Sequence, residues 1–111
     1  MNKTKEYDFT IIVPVYNEED NMTRVEQEMA AYTAKATKKA CVLFVNDGSS
    51  DHSLEQLKAM CVRHDNFFYI SSSTNHGLST AMKAGIDAAQ SRYVGYIDAD
   101  LQTNPEDFEL L

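Results

Sequence analysis

The sequence lacks the features of membrane-spanning, secreted and disulfide-built proteins. No apolar run approaches the ~18 residues that a membrane span needs, and Met1 to Glu6 lead into no apolar segment of the secretion-signal type. The chain has only two cysteines, Cys41 in a predicted strand and Cys61 in a predicted helix, and their spacing indicates buried free thiols. We therefore expect a cytoplasmic location, either free in solution or peripheral at the inner face of the membrane.

Positive charge is scarce as well. Ten Lys and Arg residues face 17 Asp and Glu residues, which gives a formal net charge of −7. An acidic surface repels a phosphate backbone, so nucleic acid is excluded as a bulk partner. A small anionic ligand is not excluded, because a bound cation can hold it on an acidic protein. The length of 111 residues and the 43% hydrophobic content fit one domain, residues 1–111, with a real core.

Familiar phosphate-binding and catalytic motifs are absent too. There is no G-x-x-x-x-G-K-[ST] loop and no G-x-G-x-x-G after a strand. His52, His64 and His76 show no ligand spacing, and the first two are expected on helix surfaces. No Ser-His-Asp or Cys-His order is recognisable. If this chain binds a diphosphate, a metal ion must supply most of the positive charge.

Four short apolar runs alternate with helical patterns. The runs are typical of strands covered on both faces: Phe9–Val15, Ala40–Val45, Phe67–Ile70 and Tyr93–Ile97. Apolar residues recur at helical spacing between them and are expected to face the core: Val25, Met29, Tyr32 and Ala36; Leu54, Leu57 and Cys61; Leu78, Met82, Ile86 and Ala89. This order predicts an α/β fold with a Rossmann-like, doubly wound, mostly parallel sheet of about four strands and flanking helices.

Polar clusters follow three of the four predicted strands. They are "PVYNEED" from Pro14 to Asp20, "NDGSSD" from Asn46 to Asp51, and "DADLQ" from Asp98 to Gln102. Ligands of open parallel sheets bind outside the carboxyl ends of the strands. If the strands are parallel, the three clusters share one edge of the sheet and form a candidate site.

The third cluster has a metal-binding interpretation. Asp98 and Asp100 point to the same side of an extended segment, and Gln102 continues that spacing. Such hard oxygen ligands suit Mg²⁺ or Mn²⁺, which share their remaining positions with waters and phosphates. The alternative is a pair of solvated or capping aspartates near a helix start.

The first two clusters each leave two interpretations open. Asp47 follows a buried strand and can accept hydrogen bonds from a base or a ribose, but its cluster also has the composition of a turn and helix cap. Tyr16 offers a flat ring for stacking a base, after Pro14 has removed a strand donor. Glu18 and its acidic neighbours are alternatively helix-start residues that stabilise the helix dipole.

Four segments together carry a family resemblance: "VPVYNEEDN", "FVNDGSSDHS", "NHGLSTAMKAGIDAA" and "GYIDADLQTNPE". In order and spacing they resemble the N-terminal half of family 2 inverting glycosyltransferases of the GT-A fold, from about Tyr7 to Phe108. "DADLQ" and "NHGLSTA" are similar to the branch that transfers sugars to polyprenyl phosphates.

The resemblance implies a nucleotide-sugar site and a metal. The residues matched to the nucleotide-sugar site are Pro14, Val15, Tyr16, Glu18, Asp47, Asp98, Ala99 and Asp100. Asp47 matches the carboxylate that recognises the base, and Asp98, Asp100 and Gln102 match the ligands of Mg²⁺ or Mn²⁺. The loop from Asn75 to Gly77 corresponds to a family loop that precedes the third helix, and the N-terminus of that helix can face phosphate. The implied donor is a UDP- or GDP-sugar, and the implied acceptor is a polyprenyl phosphate or a growing polysaccharide.

The sequence has no counterpart of the family's second half. The acceptor site, the catalytic base and a Gln-x-x-Arg-Trp-like segment are missing, and the chain has no tryptophan. A helix predicted from Asn104 has only the eight residues 104–111 in this sequence. We expect a truncated domain with no catalytic residue of its own, a base beyond Leu111, little turnover, and self-association through an exposed sheet edge.

Two other functions fit parts of the pattern. One is a non-catalytic nucleotide-binding module, or a fragment that a partner completes. The other is a nucleotidyltransferase, but that class has a glycine- and lysine-rich loop after the first strand, which "PVYNEED" does not supply.

Overall fold

The computed structural model describes residues 3–97, which form a parallel four-stranded sheet with helices on both faces. A short 3-10 helix covers Lys3–Glu6. The strands are β1 (Phe9–Val15), β2 (Ala40–Asp47), β3 (Phe67–Ser72) and β4 (Tyr93–Tyr96). The helices are α1 (Met22–Lys35), α2 (Ser53–Arg63) and α3 (Leu78–Ala88). The predicted α/β fold is confirmed, and the helix predicted at Asn104 lies outside the described residues.

The strand order is β3-β2-β1-β4, and every neighbouring pair is parallel. The two central strands, β1 and β2, are buried along their whole length. Their continuous apolar character follows from this position, since helices cover both of their faces. The register sets Val15 beside Asn46, so both central strands end at the same edge of the sheet.

Helices α1 and α2 cover one face of the sheet. The buried residues of α1 include Val25, Met29 and Tyr32, and Ala36 packs against the same core, as predicted. In α2, Leu57 is buried and Cys61 packs against the core, while Leu54 is only half-buried. The helical periodicity therefore located this core correctly.

Helix α3 covers the other face, but with a different side than predicted. The stripe of Leu78, Met82, Ile86 and Ala89 does not face the core: Leu78 is 54% and Ile86 52% exposed. The buried residues of α3 are Ala81 and Gly85. A Cβ atom on Gly85 would lie only 2.6 Å from Ile12 Cγ2. Small residues face the sheet because the helix packs too closely for large ones.

The outer strands are less covered than their sequences predicted. In β3 only Phe67 is fully buried, and in β4 the residues Tyr93, Val94 and Tyr96 are exposed. The pattern of strands covered on both faces therefore holds for β1 and β2 alone. Among residues 3–97, β4 pairs only with β1, so its other edge has no neighbouring strand.

A polar cluster joins α1 to the end of α2. The Arg63 guanidinium donates two hydrogen bonds to Glu26, at 2.8 and 2.7 Å, and His64 Nε2 lies 2.8 Å from Glu26 Oε2. The hydrogen bond from Arg63 holds the pKa of Glu26 below its ordinary value, against the opposing effect of burial. His64 also stacks on Phe67, so it is only partly the surface residue that was expected, whereas His52 is exposed.

Both cysteines are free thiols, as expected. Cys41 is buried and Cys61 is half-buried, and burial raises the pKa of each to about 11. Across residues 3–97, no helix has the length and apolar character needed to cross a membrane.

Candidate functional site

A pocket of about 200 Å³ lies outside the carboxyl ends of β1 and β2, next to the start of α3. Its lining residues are Pro14, Val15, Tyr16, Glu18, Asp47, Asn75, Leu78 and Ala81. Five of the residues that the sequence assigned to nucleotide-sugar binding are among them. The parallel register explains this, because it brings the ends of β1 and β2 together.

Asp47 is the most constrained polar residue of the pocket. It is 5% exposed and lines the pocket, and its carboxylate accepts three hydrogen bonds from one loop. Oδ1 accepts a hydrogen bond from the His76 backbone N–H at 2.8 Å. Oδ2 accepts from the Gly77 N–H at 2.9 Å and from Asn75 Nδ2 at 3.1 Å. Asp47 therefore fastens the loop that precedes α3 to the end of β2.

The next residue, Gly48, allows this loop to approach. Its φ is +70°, in the left-handed region that glycine adopts without penalty. A Cβ atom there would lie 2.3 Å from the backbone carbon of Thr74 and 2.4 Å from the Asn75 nitrogen. Glycine is thus required at position 48 both by the left-handed backbone and by the lack of room for a Cβ atom.

Asn17 shapes the first loop, and the sequence assigned it no role. Its φ is +52°, which asparagine tolerates better than most residues. Its Oδ1 accepts a hydrogen bond from the Ser50 N–H at 2.8 Å, and its own N–H donates to Ser49 Oγ at 3.0 Å. An asparagine two residues after a strand end is the signal that could have indicated this turn. Asn17 therefore joins the loop after β1 to the loop after β2. The neighbouring Tyr16 is 49% exposed.

Further bonds join the same two loops. The Glu18 N–H donates to Ser53 Oγ at 2.9 Å, and the Glu19 N–H donates to Asp51 Oδ2 at 3.2 Å. Burial raises the pKa of Asp51, but hydrogen bonds from Ser53 and the Glu19 backbone outweigh it and hold the pKa below its ordinary value. A hydrogen bond with Glu19 raises the pKa of His52. The cluster "NDGSSD" thus serves as a turn that fixes the first loop.

The helix-start interpretation of the first acidic cluster is not what the structure shows. Helix α1 begins at Met22 and has no acidic residue in its first turn. Glu18 lies before the helix, lines the pocket, and accepts a hydrogen bond from Asn21 Nδ2 at 2.8 Å. Glu18 therefore lies between the pocket and the residue that precedes α1.

The lining residues that the structure describes include two carboxylates, Glu18 and Asp47, and no lysine or arginine. Within residues 3–97, no group of three or more His, Cys, Asp or Glu side chains is arranged to hold a metal ion. The predicted residues Asp98, Ala99, Asp100 and Gln102 lie outside the described residues. The last described residue, Ile97, donates its N–H to Ile12 O at 3.0 Å, so the chain lies beside β1 there.

The fold and pocket define an α/β protein with a pocket at the carboxyl edge of a parallel sheet, where ligands of such sheets bind. The family model "Glycosyl transferase family 2" matches residues 10–111. The chain therefore belongs to glycosyl transferase family 2, as the resemblance indicated.

Relatives and solved structures agree with this assignment. The chain is 39% identical over 98 residues to the uncharacterized glycosyltransferase YkcC of Bacillus subtilis, covering 88% of this chain and 30% of the relative. It is 33% identical over 100 residues to the dolichol-phosphate mannosyltransferase of Saccharomyces cerevisiae, covering 89% and 38%. The chain thus spans about a third of the length of these curated relatives.

Two solved structures share the fold. The mannosyltransferase PcManGT of Pyrobaculum calidifontis, in complex with GDP-Man and Mn²⁺, superposes with a TM-score of 0.75 at 21% identity, covering 85% of this chain and 28% of that one. TarS of S. aureus, in complex with UDP, gives a TM-score of 0.72 at 26% identity, covering 84% and 27%. The GT-A type of fold is thereby confirmed for the described sheet and helices.

Proposed function

We propose that this chain is the donor-binding part of an inverting, metal-dependent glycosyltransferase that takes its sugar from a UDP- or GDP-sugar. The observation that carries the proposal is the pocket itself, since residues from the ends of β1 and β2 converge on one cavity. The complexes of TarS with UDP and of PcManGT with GDP-Man support it.

Five of the lining residues have a part in holding the nucleoside. Tyr16 presents an exposed ring on which a base stacks. Pro14 and Val15 are buried and form an apolar floor. Asp47 accepts a hydrogen bond from a base N–H, and the carboxylate of Glu18, held by Asn21, lies at the same pocket.

The diphosphate requires a cation. Glu18 and Asp47 give the described part of the pocket a negative character, which repels phosphate. We assign the metal to Asp98, Asp100 and Gln102, whose oxygen donors suit Mg²⁺ or Mn²⁺, and the nucleotide-sugar contacts to Asp98, Ala99 and Asp100. When bound, the metal supplies positive charge to the departing diphosphate.

The acceptor site and the catalytic base belong, in this proposal, to the larger domain. The dolichol-phosphate mannosyltransferase relative supports a polyprenyl phosphate acceptor, and a growing polysaccharide is the other candidate of this proposal. Because the chain covers 30% and 38% of its relatives, we place the acceptor site and the base in the part of the domain that it does not contain. This chain alone should show little turnover. We place it in the cytoplasm, either free or at the inner face of the membrane.

Titration calorimetry with UDP and GDP tests the proposal. In the presence of Mn²⁺ at least one of them should bind, and EDTA should weaken that binding about tenfold or more, because the diphosphate loses its counter-charge. Binding that is indifferent to EDTA would contradict the metal assignment. Steady sugar transfer by this chain alone would contradict the division of the site.

Self-association through β4 is a separate prediction. The exposed Tyr93, Val94 and Tyr96 lie on the strand whose second edge has no described neighbour, and such edges pair with other chains. Sedimentation velocity should show oligomers that grow with concentration, and Val94→Lys should reduce them. Val62→Lys is the matched control, because Val62 is exposed on α2, away from the sheet edge. A stable monomer at all concentrations would refute the prediction.

A further inference from the structure

We infer that the pocket selects uracil over guanine, so that the donor is a UDP-sugar. This inference rests on the proposed function and narrows its donor from two classes to one. It starts from the hydrogen bonds that Asp47 already makes within the protein. The stacking surface of Tyr16 does not discriminate, because every base has a π-face.

The acceptor capacity of Asp47 is largely used. A carboxylate has about four lone-pair sites, two on each oxygen. Oδ2 accepts from both the Gly77 N–H at 2.9 Å and Asn75 Nδ2 at 3.1 Å, so its two sites are filled. Oδ1 accepts from the His76 N–H at 2.8 Å, which leaves one site. With 5% of Asp47 exposed, that site opens only to a ligand in the pocket.

The two bases differ in how many donors they present. Guanine has adjacent N1–H and N2–H groups, which pair with both oxygens of one carboxylate. Uracil has a single ring N–H, at N3, between two carbonyl groups. One remaining site on Oδ1 satisfies uracil, whereas guanine would have one donor left desolvated without a partner, and such a loss is costly in a buried site.

The donors to Oδ2 do not give way easily. Two of the three bonds to the carboxylate come from backbone N–H groups in the turn that begins α3, so a side-chain rotation cannot release them. Gly48 packs its backbone against Thr74 and Asn75 and holds the loop in place. The third donor, Asn75 Nδ2, belongs to a side chain, which a second hydrogen bond to the Asp47 backbone oxygen at 3.2 Å holds beside Oδ2. Asn75 is therefore the one donor that a substitution removes without altering the backbone.

Titration of the chain with UDP and with GDP, in saturating Mn²⁺, tests the inference. UDP should bind at least about tenfold more tightly than GDP, as expected when one donor is left unpaired. Asn75→Ala opens a second site, on Oδ2, and should reduce the ratio of the two dissociation constants to about threefold or less. Thr74→Ala is the control, because Thr74 lies in the same loop but its hydroxyl contacts His76 rather than Asp47.

The outcomes separate the two proposals. If GDP binds as tightly as UDP or more tightly, the selectivity inference is overturned while the proposed function stands. If the ratio is the same in Asn75→Ala as in the unaltered chain, the lone-pair explanation is overturned. If neither diphosphate binds, the proposed function fails, and the inference fails with it. Thermal unfolding of each variant verifies that the ratios are measured on folded protein.

Discussion

Replacing Gly48 with alanine should lower the free energy of unfolding by about 3 kcal/mol or more, which is a large part of the 5–15 kcal/mol typical of a domain. Two costs add. A left-handed backbone costs an L-residue about 1–2 kcal/mol, and Gly48 has a φ of +70°. The new Cβ would also meet the backbone of Thr74 and Asn75 at 2.3 and 2.4 Å, where no side-chain rotation can relieve the contact. Overpacking of this kind typically costs about 1–3 kcal/mol.

Gly77→Ala is the matched control for this prediction. Gly77 has a φ of +94°, but a Cβ atom there would have no neighbour within 4 Å. With a ψ of 163° its backbone lies in a region that is essentially restricted to glycine, so this variant should lose the conformational part alone, about 1–3 kcal/mol. Urea unfolding followed by circular dichroism measures both. A loss of only about 1–2 kcal/mol in Gly48→Ala, the conformational cost alone, would show that the close approach of the loop to Gly48 contributes nothing.

Asp47→Ala should affect both stability and ligand binding. It leaves the N–H groups of His76 and Gly77 without their acceptor, and a hydrogen bond to a charged group contributes about 1.5–3 kcal/mol. Water can reach this exposed loop, so we expect a net loss of about 2–4 kcal/mol in the free energy of unfolding. UDP binding should weaken about 100-fold, because both the base acceptor and the position of the α3 loop are lost.

Asp87→Ala is the control for removing one negative charge. Asp87 is exposed and pairs with Lys83 one helical turn away, so its loss should change stability by less than about 0.5 kcal/mol. The loss of stability in Asp47→Asn should fall between the losses in Asp47→Ala and Asp87→Ala. The NH₂ group that replaces one carboxylate oxygen must face at least one of the loop donors. Calorimetry at a temperature where each variant is folded separates binding from stability. Undiminished UDP binding by Asp47→Ala would show that Asp47 does not contact the ligand. Unchanged stability would show that Asp47 does not hold the loop before α3 in place.

The sequence alone determined the fold class and the position of the pocket. Continuous apolar runs separated by helical periodicity are sufficient for a parallel α/β sheet, and parallel strands deliver their carboxyl ends to one edge. That reasoning placed Pro14, Tyr16, Glu18 and Asp47 together, and they line one pocket. It also identified the family, because four motifs in order are specific where each alone is not.

Only the tertiary structure decided which polar groups are already occupied. The loop that donates to Asp47 lies 28 to 30 residues further along the chain. The side chains of Ser49 and Asp51 in "NDGSSD" accept hydrogen bonds from a loop 32 residues earlier. It also decided that α3 faces the sheet with Ala81 and Gly85 instead of Leu78 and Ile86. A residue pattern reports the periodicity of burial along one segment. Hydrogen-bond partners and the closeness of two packed elements depend instead on the register and the distance between segments. No single segment encodes that register or that distance.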